Sequence, residues 1–243
     1  MPTLLVLGAG SDMARATALA FGKAGWDVHL AGRDTSLLRL IGMDFSVRTG
    51  RRAQVFAFDA LQADAHTELW NSLPESPDGL LCAVGLLGDQ DAARYNIAQA
   101  DTILRTNFTG LVPLLSLAAD EFEKRGSGLI IGISSVAGDR GRASNYIYGS
   151  AKAGFTAFLS GLRNRLFSKG VHVLTVKPGF VNTAMTEGMR LPALLTASPD
   201  EVAAAILKAA AKKRDVLYCK PCWRCIMLLI RHLPEAVFKR LSL

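Results

Sequence analysis

The sequence contains no apolar run long enough to cross a bilayer as a helix, which requires roughly 20 residues. The longest such run near the C-terminus is CIMLLI, residues 225–230. The first ten residues, MPTLLVLGAG, also lack the basic region and the long apolar region of a secretory signal peptide. We therefore expect a cytoplasmic protein whose first residues form a buried strand.

Cysteine is scarce as well, with four residues in a chain of 243. Three of them, Cys219, Cys222 and Cys225, have the C-x-x-C-x-x-C spacing of part of a metal or iron–sulfur site. Only Cys82 remains as a fourth sulfur ligand, and no histidine follows at the spacing of a zinc finger. We predict four reduced thiols and no metal site.

Positive charge is concentrated at one end of the chain. The net charge is +7, and residues 211–243 contain eight Lys or Arg against two Asp or Glu. Basic patches often bind nucleic acid, but these charges alternate with large apolar residues, a pattern that suits an anionic membrane surface better. We predict no nucleic-acid partner.

Residues 219–243 are predicted to form an amphipathic, basic helical tail in which Pro234 begins a second short helix. Two interpretations of this tail remain open. In the first, its apolar face packs on the domain or on a partner subunit. In the second, this face inserts into the inner surface of a membrane, with four cations at the level of the headgroups. The apolar residues are Trp223, Ile226, Met227, Ile230 and Leu233, and the cations are Arg224, Arg231, Lys239 and Arg240.

Short apolar runs alternate with longer amphipathic stretches from the first residue onward. Strands that alternate with helices indicate βαβ units and a parallel sheet covered on both faces. We predict that residues 1–218 form one domain, an α/β Rossmann-like doubly wound parallel sheet of six to seven strands with helices on both faces. The six predicted strands are TLLVLG, DVHLAG, AQVFAF, GLLCAVG, GLIIGIS and VHVLTVKPG, and DVLY at 215–218 is a candidate seventh. The predicted helices cover 11–24, 34–48 and 198–213.

The segment after the first strand, GAGSDMARA, is a candidate phosphate loop, because ligands of such sheets bind beyond the carboxyl ends of the strands. Small residues let the backbone approach a pyrophosphate, and the next helix points its free N–H groups at the anion. Aspartate and alanine stand where nucleotide loops often have glycine, so a tight turn without a ligand is the alternative. The predicted cofactor contacts in this segment are Gly8, Gly10, Ser11, Asp12 and Met13.

Arg33 follows the second strand, at the place where an NAD site would have Asp or Glu for the ribose hydroxyls. Asp27 lies too early, at the start of that strand. A cation at Arg33 suits a 2′-phosphate and so predicts NADP(H), with an ordinary solvated arginine as the alternative. Asp59, after the third strand, is predicted to receive the adenine amino group or else to cap a helix.

Tyr148-Gly-Ser-Ala-Lys152 resembles the Tyr-x-x-x-Lys motif of the short-chain dehydrogenases/reductases, and Ser135 stands thirteen residues before Tyr148, as in that family. Asn107 lies 41 residues before Tyr148 and matches the family's catalytic asparagine. KPGFVNT, residues 177–183, is similar to the family's Pro-Gly motif after strand six. The resemblance covers essentially the whole chain, and these motifs in this order are far more specific than any one of them.

The resemblance implies that Tyr148 is the acid/base, that Lys152 tunes it and holds the nicotinamide ribose, and that Ser135 orients the substrate carbonyl. Asn107 would support a water that relays protons to Lys152. Because Tyr148 and Lys152 are four residues apart, they share one helix face, and the ammonium is expected to lower the pKa of Tyr148. Tyr146 has no such basic neighbour.

Further cofactor contacts are implied at Gly85, after strand four, and in the Pro-Gly segment, where Thr183 would hold the nicotinamide carboxamide. Two departures from the family affect these contacts rather than the chemistry. The family's Thr-Gly-x-x-x-Gly-x-Gly loop keeps only its first glycine in LGAGSDMA, and its Asn-Asn-Ala-Gly is here CAVG. The implied contacts of the Pro-Gly segment are Pro178, Gly179, Val181 and Thr183.

The segment SSVAGDRGRASNYIYGSAKAG, together with the tail, is similar to the branch of decaprenylphosphoryl-2-keto-ribose reductases, which reduce a keto sugar on a polyprenyl phosphate. The implied function is an NADP(H)-dependent reductase that transfers hydride to a ketone, with a keto sugar, lipid-linked in that branch, as the favoured substrate. The alternatives are a reductase of 3-oxoacyl thioesters or other small ketones, and a non-catalytic NADP-binding sensor. The family resemblance also suggests a homodimer or homotetramer.

Three polar residues between Ser135 and Tyr148 have two open interpretations. Arg140, Arg142 and Asn145 either contact an anionic substrate or belong to a solvated loop.

Overall fold

The computed structural model describes residues 1–189 and 191–241, and in these residues seven parallel strands form one sheet. Two further short strands pair with each other outside that sheet. In chain order the strands are β1 Thr3–Leu7, β2 Asp27–Gly32, β3 Ala53–Ala57, β4 Gly79–Cys82, β5 Gly128–Ile133, β6 Val171–Lys177, β7 Phe180–Val181, β8 Thr196–Ala197 and β9 Val216–Tyr218.

Helices follow most strands of the sheet, as the alternating pattern predicts. The predicted doubly wound fold is therefore confirmed, including its seventh strand and a second short helix after Pro234. The helices are α1 Asp12–Lys23, α2 Thr35–Thr49, α3 His66–Ser72, α4 Gln90–Ala93, α5 Ile97–Asn107, α6 Val112–Arg125, α7 Tyr146–Leu166, α8 Pro199–Ala211, α9 Cys222–His232 and α10 Glu235–Phe238.

Alternate residues of each strand supply the two apolar layers that hold the sheet between helices. In β1, Leu4 and Val6 pack with α1, α2 and α8, whereas Leu5 and Leu7 pack with α6 and α7. All four side chains are fully buried, as expected for a parallel strand covered on both faces. This is why the strands appear in the sequence as continuous apolar runs.

The strands lie in the order β3–β2–β1–β4–β5–β6–β9, so the direction of winding reverses between β1 and β4. Ligands of doubly wound sheets bind in the crevice beyond the carboxyl ends of the strands at such a reversal. Side-chain caps fix where the neighbouring helices begin: Ser11 accepts from the Ala14 N–H at the start of α1, and Asp34 accepts from the Leu37 N–H at the start of α2. Both helix starts therefore face the crevice.

No helix within the described ranges combines the length and the apolar character that a bilayer span requires. The final two residues of the predicted tail and Arg190, in the segment after strand six, lie outside the described residues.

Candidate active site

A cavity of about 340 Å³ lies at the reversal of the sheet, beyond the carboxyl ends of β1 to β4. It brings together residues that follow four different strands, as expected for a nucleotide cleft in this fold. The sequence-predicted cofactor residues that line it are Gly8, Gly10, Ser11, Arg33, Asp59 and Gly85.

The glycine loop fits a phosphate-binding role although two of the family's glycines are replaced. Gly8 has a φ of +74°, and a Cβ there would come within 3.0 Å of the Ala83 carbonyl oxygen, so a side chain is excluded on both counts. At Gly10 an added Cβ would meet only the Leu37 side chain, at 3.9 Å. The backbone at Gly10 therefore faces open space in which a pyrophosphate can lie.

The two predicted adenosine contacts differ in how far their side chains already bond to other groups of the protein. Arg33 is exposed at the rim of the cavity. Asp59 is half-buried, and its Oδ1 accepts a hydrogen bond from the Leu61 N–H at 3.0 Å, which fixes the turn after β3. The structure thus gives Asp59 a turn-forming role and leaves the Arg33 cation facing solvent beside the cavity.

Lys152 and Asn107 lie in the interior, at most 2 % exposed. The Nζ of Lys152 donates to the carbonyl oxygens of Val84, at 3.3 Å, and Ile133, at 3.1 Å. The amide of Asn107 donates from Nδ2 to the Leu86 carbonyl, at 2.7 Å, and its Oδ1 accepts from the Leu86 N–H, at 3.2 Å. Both side chains therefore hold the segment that follows β4.

Gly85 separates these two side chains. A Cβ built on Gly85 would lie 3.5 Å from Asn107 Oδ1 and 3.6 Å from Lys152 Nζ. Asn107 and Lys152 thus approach the same point of the backbone from two different helices, α5 and α7. The sequence spacing of 45 residues between them gives no indication of this proximity.

Ser135 and Tyr148 are brought together at the start of α7. The Ser135 hydroxyl lies near enough to the Tyr148 phenol to lower the pKa of Tyr148, and Ser135 Oγ accepts from the Ala137 N–H at 3.1 Å. The neighbouring Ser134 points elsewhere, with its Oγ bonded to the Lys152 carbonyl at 3.0 Å and to the Thr156 hydroxyl at 2.6 Å. One serine therefore meets the tyrosine, and the other fastens α7 to the end of β5.

The expectation that Lys152 lowers the pKa of Tyr148 is wrong for this structure. Burial raises the pKa of Tyr148 to about 12, and the hydrogen bond from Ser135 offsets only part of that effect. Burial also lowers the pKa of Lys152 to about 8. The Lys152 ammonium lies 5.8 Å from the centre of the Tyr148 ring and donates to backbone carbonyls, so desolvation outweighs its attraction for a tyrosinate.

Comparison with known proteins agrees with this geometry. The family model described as "short chain dehydrogenase" matches residues 2–192. The chain belongs to this family. An uncharacterized oxidoreductase of Mycobacterium tuberculosis is 41 % identical over 187 residues, which are 76 % of this chain and 75 % of that protein. An uncharacterized oxidoreductase of Streptomyces coelicolor is 34 % identical over 242 residues, 98 % of this chain and 95 % of that protein.

The fold of this short-chain dehydrogenase is shared by a solved structure, a short-chain dehydrogenase from Sphingobium yanoikuyae in complex with NADPH. It has a TM-score of 0.83 at 22 % sequence identity and covers 97 % of this chain and 98 % of that one. Family membership makes the protein an oxidoreductase that uses a nicotinamide cofactor.

The Pro-Gly segment of the dehydrogenase lies beside Ser135. The Val136 N–H donates to the Pro178 carbonyl at 3.0 Å, which joins the segment to the residue after Ser135. Farther along, the Ala184 N–H donates to Asp12 Oδ2 at 3.0 Å and so connects the residue after Thr183 to the start of α1. Asp12 thus holds two loops together across the sequence.

Eight of the predicted cofactor contacts do not line the 340 Å³ cavity: Asp12, Met13, Tyr148, Lys152, Pro178, Gly179, Val181 and Thr183. Asp12 and Thr183 line a separate groove of about 650 Å³ along α1, and the side chain of Met13 packs against the apolar core beneath the sheet. Val181 is buried as well, at 4 % exposure. Only the backbone of Met13 and Val181 is therefore placed to meet a cofactor.

The tail contributes a contact to the site that the sequence did not reveal. A Cβ on Gly179 would collide with the indole of Trp223, and the Trp223 Nε1 donates to the Leu195 carbonyl at 3.0 Å. Trp223 and Met227 pack with Val136, directly after Ser135. Of the two interpretations of the inner apolar face, packing on the domain is the one observed for these residues.

Arg140 and Arg142, which the sequence left equivalent, differ in the structure. The guanidinium of Arg140 donates to the carbonyls of Ile230, at 2.5 Å, and Leu233, at 2.6 Å, and pairs with Glu235 at 2.8 Å. Arg140 therefore binds the tail. The half-buried Arg142 has a buried Nε without a hydrogen-bond partner and contacts the tail through Met227 Sδ at 3.6 Å.

Proposed function

We propose that this protein is an NADPH-dependent reductase of carbonyl compounds in which Tyr148 is the general acid. The observation that supports it is the meeting of Ser135, Tyr148 and Lys152, with Asn107 behind them, beside a nucleotide-sized cleft at the reversal of the sheet. A bound nicotinamide cofactor supplies the hydride.

Each of the four side chains has its own role in the reduction of the carbonyl. The Ser135 hydroxyl holds the substrate carbonyl oxygen, and the Tyr148 hydroxyl donates its proton to the alkoxide that develops there. A pKa of about 12 keeps Tyr148 protonated at neutral pH, which is the form that reduction requires. Lys152 holds positive charge near the tyrosine and would hold the nicotinamide ribose of a bound cofactor. Asn107 fixes the segment around Gly85 and would support a water on the route to Lys152.

NADPH is preferred over NADH in this proposal because Arg33 is a cation at the end of β2. Charge-assisted hydrogen bonds to a 2′-phosphate form readily with an exposed guanidinium. The NADPH complex of the Sphingobium yanoikuyae protein, which has the same fold, is in keeping with this choice.

The favoured substrate is a keto sugar attached to a lipid phosphate. Arg142 lies between Ser135 and Tyr148 in the sequence, and burial lowers the pKa of its guanidinium. An anionic group on the substrate would offset the cost of burying this cation. The outer face of the tail presents Leu228 and Leu229, 62 % and 67 % exposed, next to basic residues. Such a face suits peripheral attachment of a cytoplasmic protein to the inner face of an anionic membrane.

In this proposal residues 1–218 form the catalytic domain and residues 219–243 the membrane-facing tail, and the protein assembles as a homodimer or homotetramer. The domain bounds follow the sequence pattern, the assembly follows the resemblance to the short-chain dehydrogenases/reductases, and the role of the tail follows the resemblance to the polyprenyl-phosphoryl keto-sugar reductases.

The test is oxidation of NADPH by the purified protein with three substrates: a polyprenyl-phosphoryl-2-keto-pentose in anionic vesicles, the same compound in detergent, and a short-chain 3-oxoacyl thioester. We expect rapid turnover of the lipid-linked sugar, faster in vesicles, and sedimentation of the protein with anionic but not zwitterionic vesicles. Turnover of the thioester alone would reject the sugar as substrate. Absence of turnover with tight NADPH binding would favour the sensor.

A further inference from the structure

A buried ion pair lies between the catalytic serine and the Pro-Gly segment. Lys177, the last residue of β6, pairs with Asp139, four residues after Ser135, and their side chains are 8 % and 3 % exposed. A charge pair this well buried costs desolvation energy, and removal of one partner leaves the other charge uncompensated. Lys177 comes directly before Pro178, so the pair ties the two segments that the chemistry needs at a set distance.

Tyr218 is the third member of this network. Its hydroxyl donates to Asp139 Oδ2 at 2.7 Å, and the Lys177 ammonium lies 5.5 Å from the centre of its ring. Lys177 and Tyr218 are also direct partners in the pairing of β6 with β9. Burial raises the pKa of Tyr218 to about 12, so the phenol stays protonated and keeps donating at neutral pH.

The tail closes over the same place. The indole of Trp223 covers Gly179 and makes an edge contact with Phe180, with ring centres 5.4 Å apart. Arg140, next to Asp139, is bonded to the end of α9 and lies 3.8 Å from the centre of the Phe238 ring. The Ser135 loop and the Pro-Gly segment are thus each fastened to the tail as well as to one another.

We propose that Asp139, Lys177 and Tyr218 are positioning residues that set the separation between the Ser135–Tyr148 pair and the Pro178–Thr183 segment, with Trp223 as the cover that holds that segment. The inference rests on the proposed reductase function, in which the Pro-Gly segment lies against the nicotinamide. None of these four side chains has to touch the reacting atoms. Displacement of a reacting group by about 1 Å can cost about a hundredfold in rate, so a rigid link between the two segments has a direct kinetic consequence.

The test compares Asp139→Asn, Lys177→Met, Tyr218→Phe and Trp223→Leu with wild type in two measurements. The first is hydrogen exchange of backbone amides in the protein without cofactor. We expect faster exchange in two separate segments, residues 134–140 and 177–183, in each variant. The second is kcat for the carbonyl substrate that wild type turns over, with the kinetic isotope effect of deuterated NADPH. We expect kcat to fall about 10- to 100-fold and the KM for NADPH to change much less.

Asp27→Asn is the matched control. Asp27 is also a buried carboxylate with cationic partners, Arg51 at 3.1 Å and Arg52 at 2.9 Å. It lies at the start of β2, however, at the amino ends of the strands and away from the site at their carboxyl ends. We expect it to lower the melting temperature without a change in kcat or in exchange at 177–183. Lys177→Arg should retain part of the activity that Lys177→Met loses.

Two failures are distinguishable. If wild type oxidises no NADPH with any carbonyl compound, the reductase function is wrong, and the exchange data alone decide whether the network holds the two segments. If wild type is active and the folded variants show wild-type kcat, isotope effect and amide exchange at a temperature well below their melting points, the positioning role is overturned.

Discussion

In the half of the site proposed for catalysis, two polar side chains, Asn107 and Lys152, are buried and bonded to distant parts of the chain. Asn107 is fully buried and bonded to Leu86, and Lys152 bridges the carbonyls of Val84, after β4, and Ile133, the last residue of β5. The half proposed for the adenosine is formed by Gly8, Gly10, Ser11, Arg33, Asp34 and Asp59, and its side-chain bonds are local.

The local bonds of the adenosine half are caps and turns: Ser11 and Asp34 start helices, and Asp59 fixes its own turn. Arg33 remains exposed. The difference is that Asn107 and Lys152 are fixed in advance at a cost in desolvation, whereas the Arg33 cation is exposed and, in the proposed function, is fixed only when the cofactor binds. Changes in the first half should therefore act on kcat and stability, and changes in the second on cofactor affinity.

The largest effect is expected for Tyr148→Phe, which removes the proposed general acid but keeps the ring. We expect kcat to fall about a thousandfold or more, because proton donation to the alkoxide is lost, while the Kd for NADPH is unchanged within a small factor. Steady-state rates and NADPH fluorescence titration measure the two quantities. Tyr146→Phe, two residues away on the same helix and 44 % exposed, is the control and should retain full activity. A Tyr148→Phe enzyme with near wild-type kcat would exclude Tyr148 as the acid.

An intermediate effect is expected from the buried charge of Lys152. Its pKa is about 8 in the folded protein and 10.5 in its ordinary state, so in the interval between them the native state releases the proton before the unfolded state does. Stability should therefore rise with pH in that interval, by about 2 kcal/mol between about pH 7.5 and about pH 9.5 from this group alone.

Urea unfolding of wild type and Lys152→Met at both pH values measures this contribution as a difference. The rise should be missing in Lys152→Met and present in Lys124→Met, whose lysine is exposed on α6. An equal pH dependence of the free energy of unfolding in wild type and Lys152→Met would show that burial of the Lys152 charge costs no stability. The contrast between the two halves of the site would then weaken.

The smallest effect is expected for Arg33→Ala in the adenosine half. Loss of a charge-assisted contact with the 2′-phosphate should weaken NADPH by about tenfold or more and leave NADH and kcat nearly unchanged. Isothermal titration with both cofactors measures this selectivity, with Arg39→Ala, also exposed on α2, as the control. Equal losses for NADPH and NADH would remove the argument for a 2′-phosphate site.

The parts of the site that the sequence predicted are those carried by local spacing. Tyr148 and Lys152 share a helix face because they are four residues apart, and Gly8, Ser11, Arg33 and Asp59 face the cleft because each follows a parallel strand. The pKa of Tyr148 could not be predicted in this way. Spacing shows a neighbouring ammonium, but the degree of desolvation depends on side chains from several elements.

The different roles of Arg140 and Arg142 also could not be predicted from the sequence. Both lie in one polar loop, and only the docking of α9 and α10 engages Arg140 with Ile230, Leu233 and Glu235. The tail pattern likewise showed an apolar face without showing what that face meets. Its contact with Gly179 joins residues 44 positions apart, and no periodicity encodes such a distance.

The sequence by itself determined the α/β class, the strand and helix pattern, the family and the edge of the sheet at which the site lies. The class, the pattern and the edge follow from short apolar runs, from helical periods of 3.6 residues and from the turn residues at strand ends, which act over short stretches of chain. The family follows from the resemblance of the motifs at Ser135, Tyr148, Lys152 and Pro178 to those of the short-chain dehydrogenases/reductases. Only the tertiary structure decided that Asn107 and Lys152 converge on Gly85 and that Asp139, Lys177 and Tyr218 form one buried network. Burial and the pairing of distant polar groups arise when whole layers pack together, so they are properties of the folded chain and not of any segment within it.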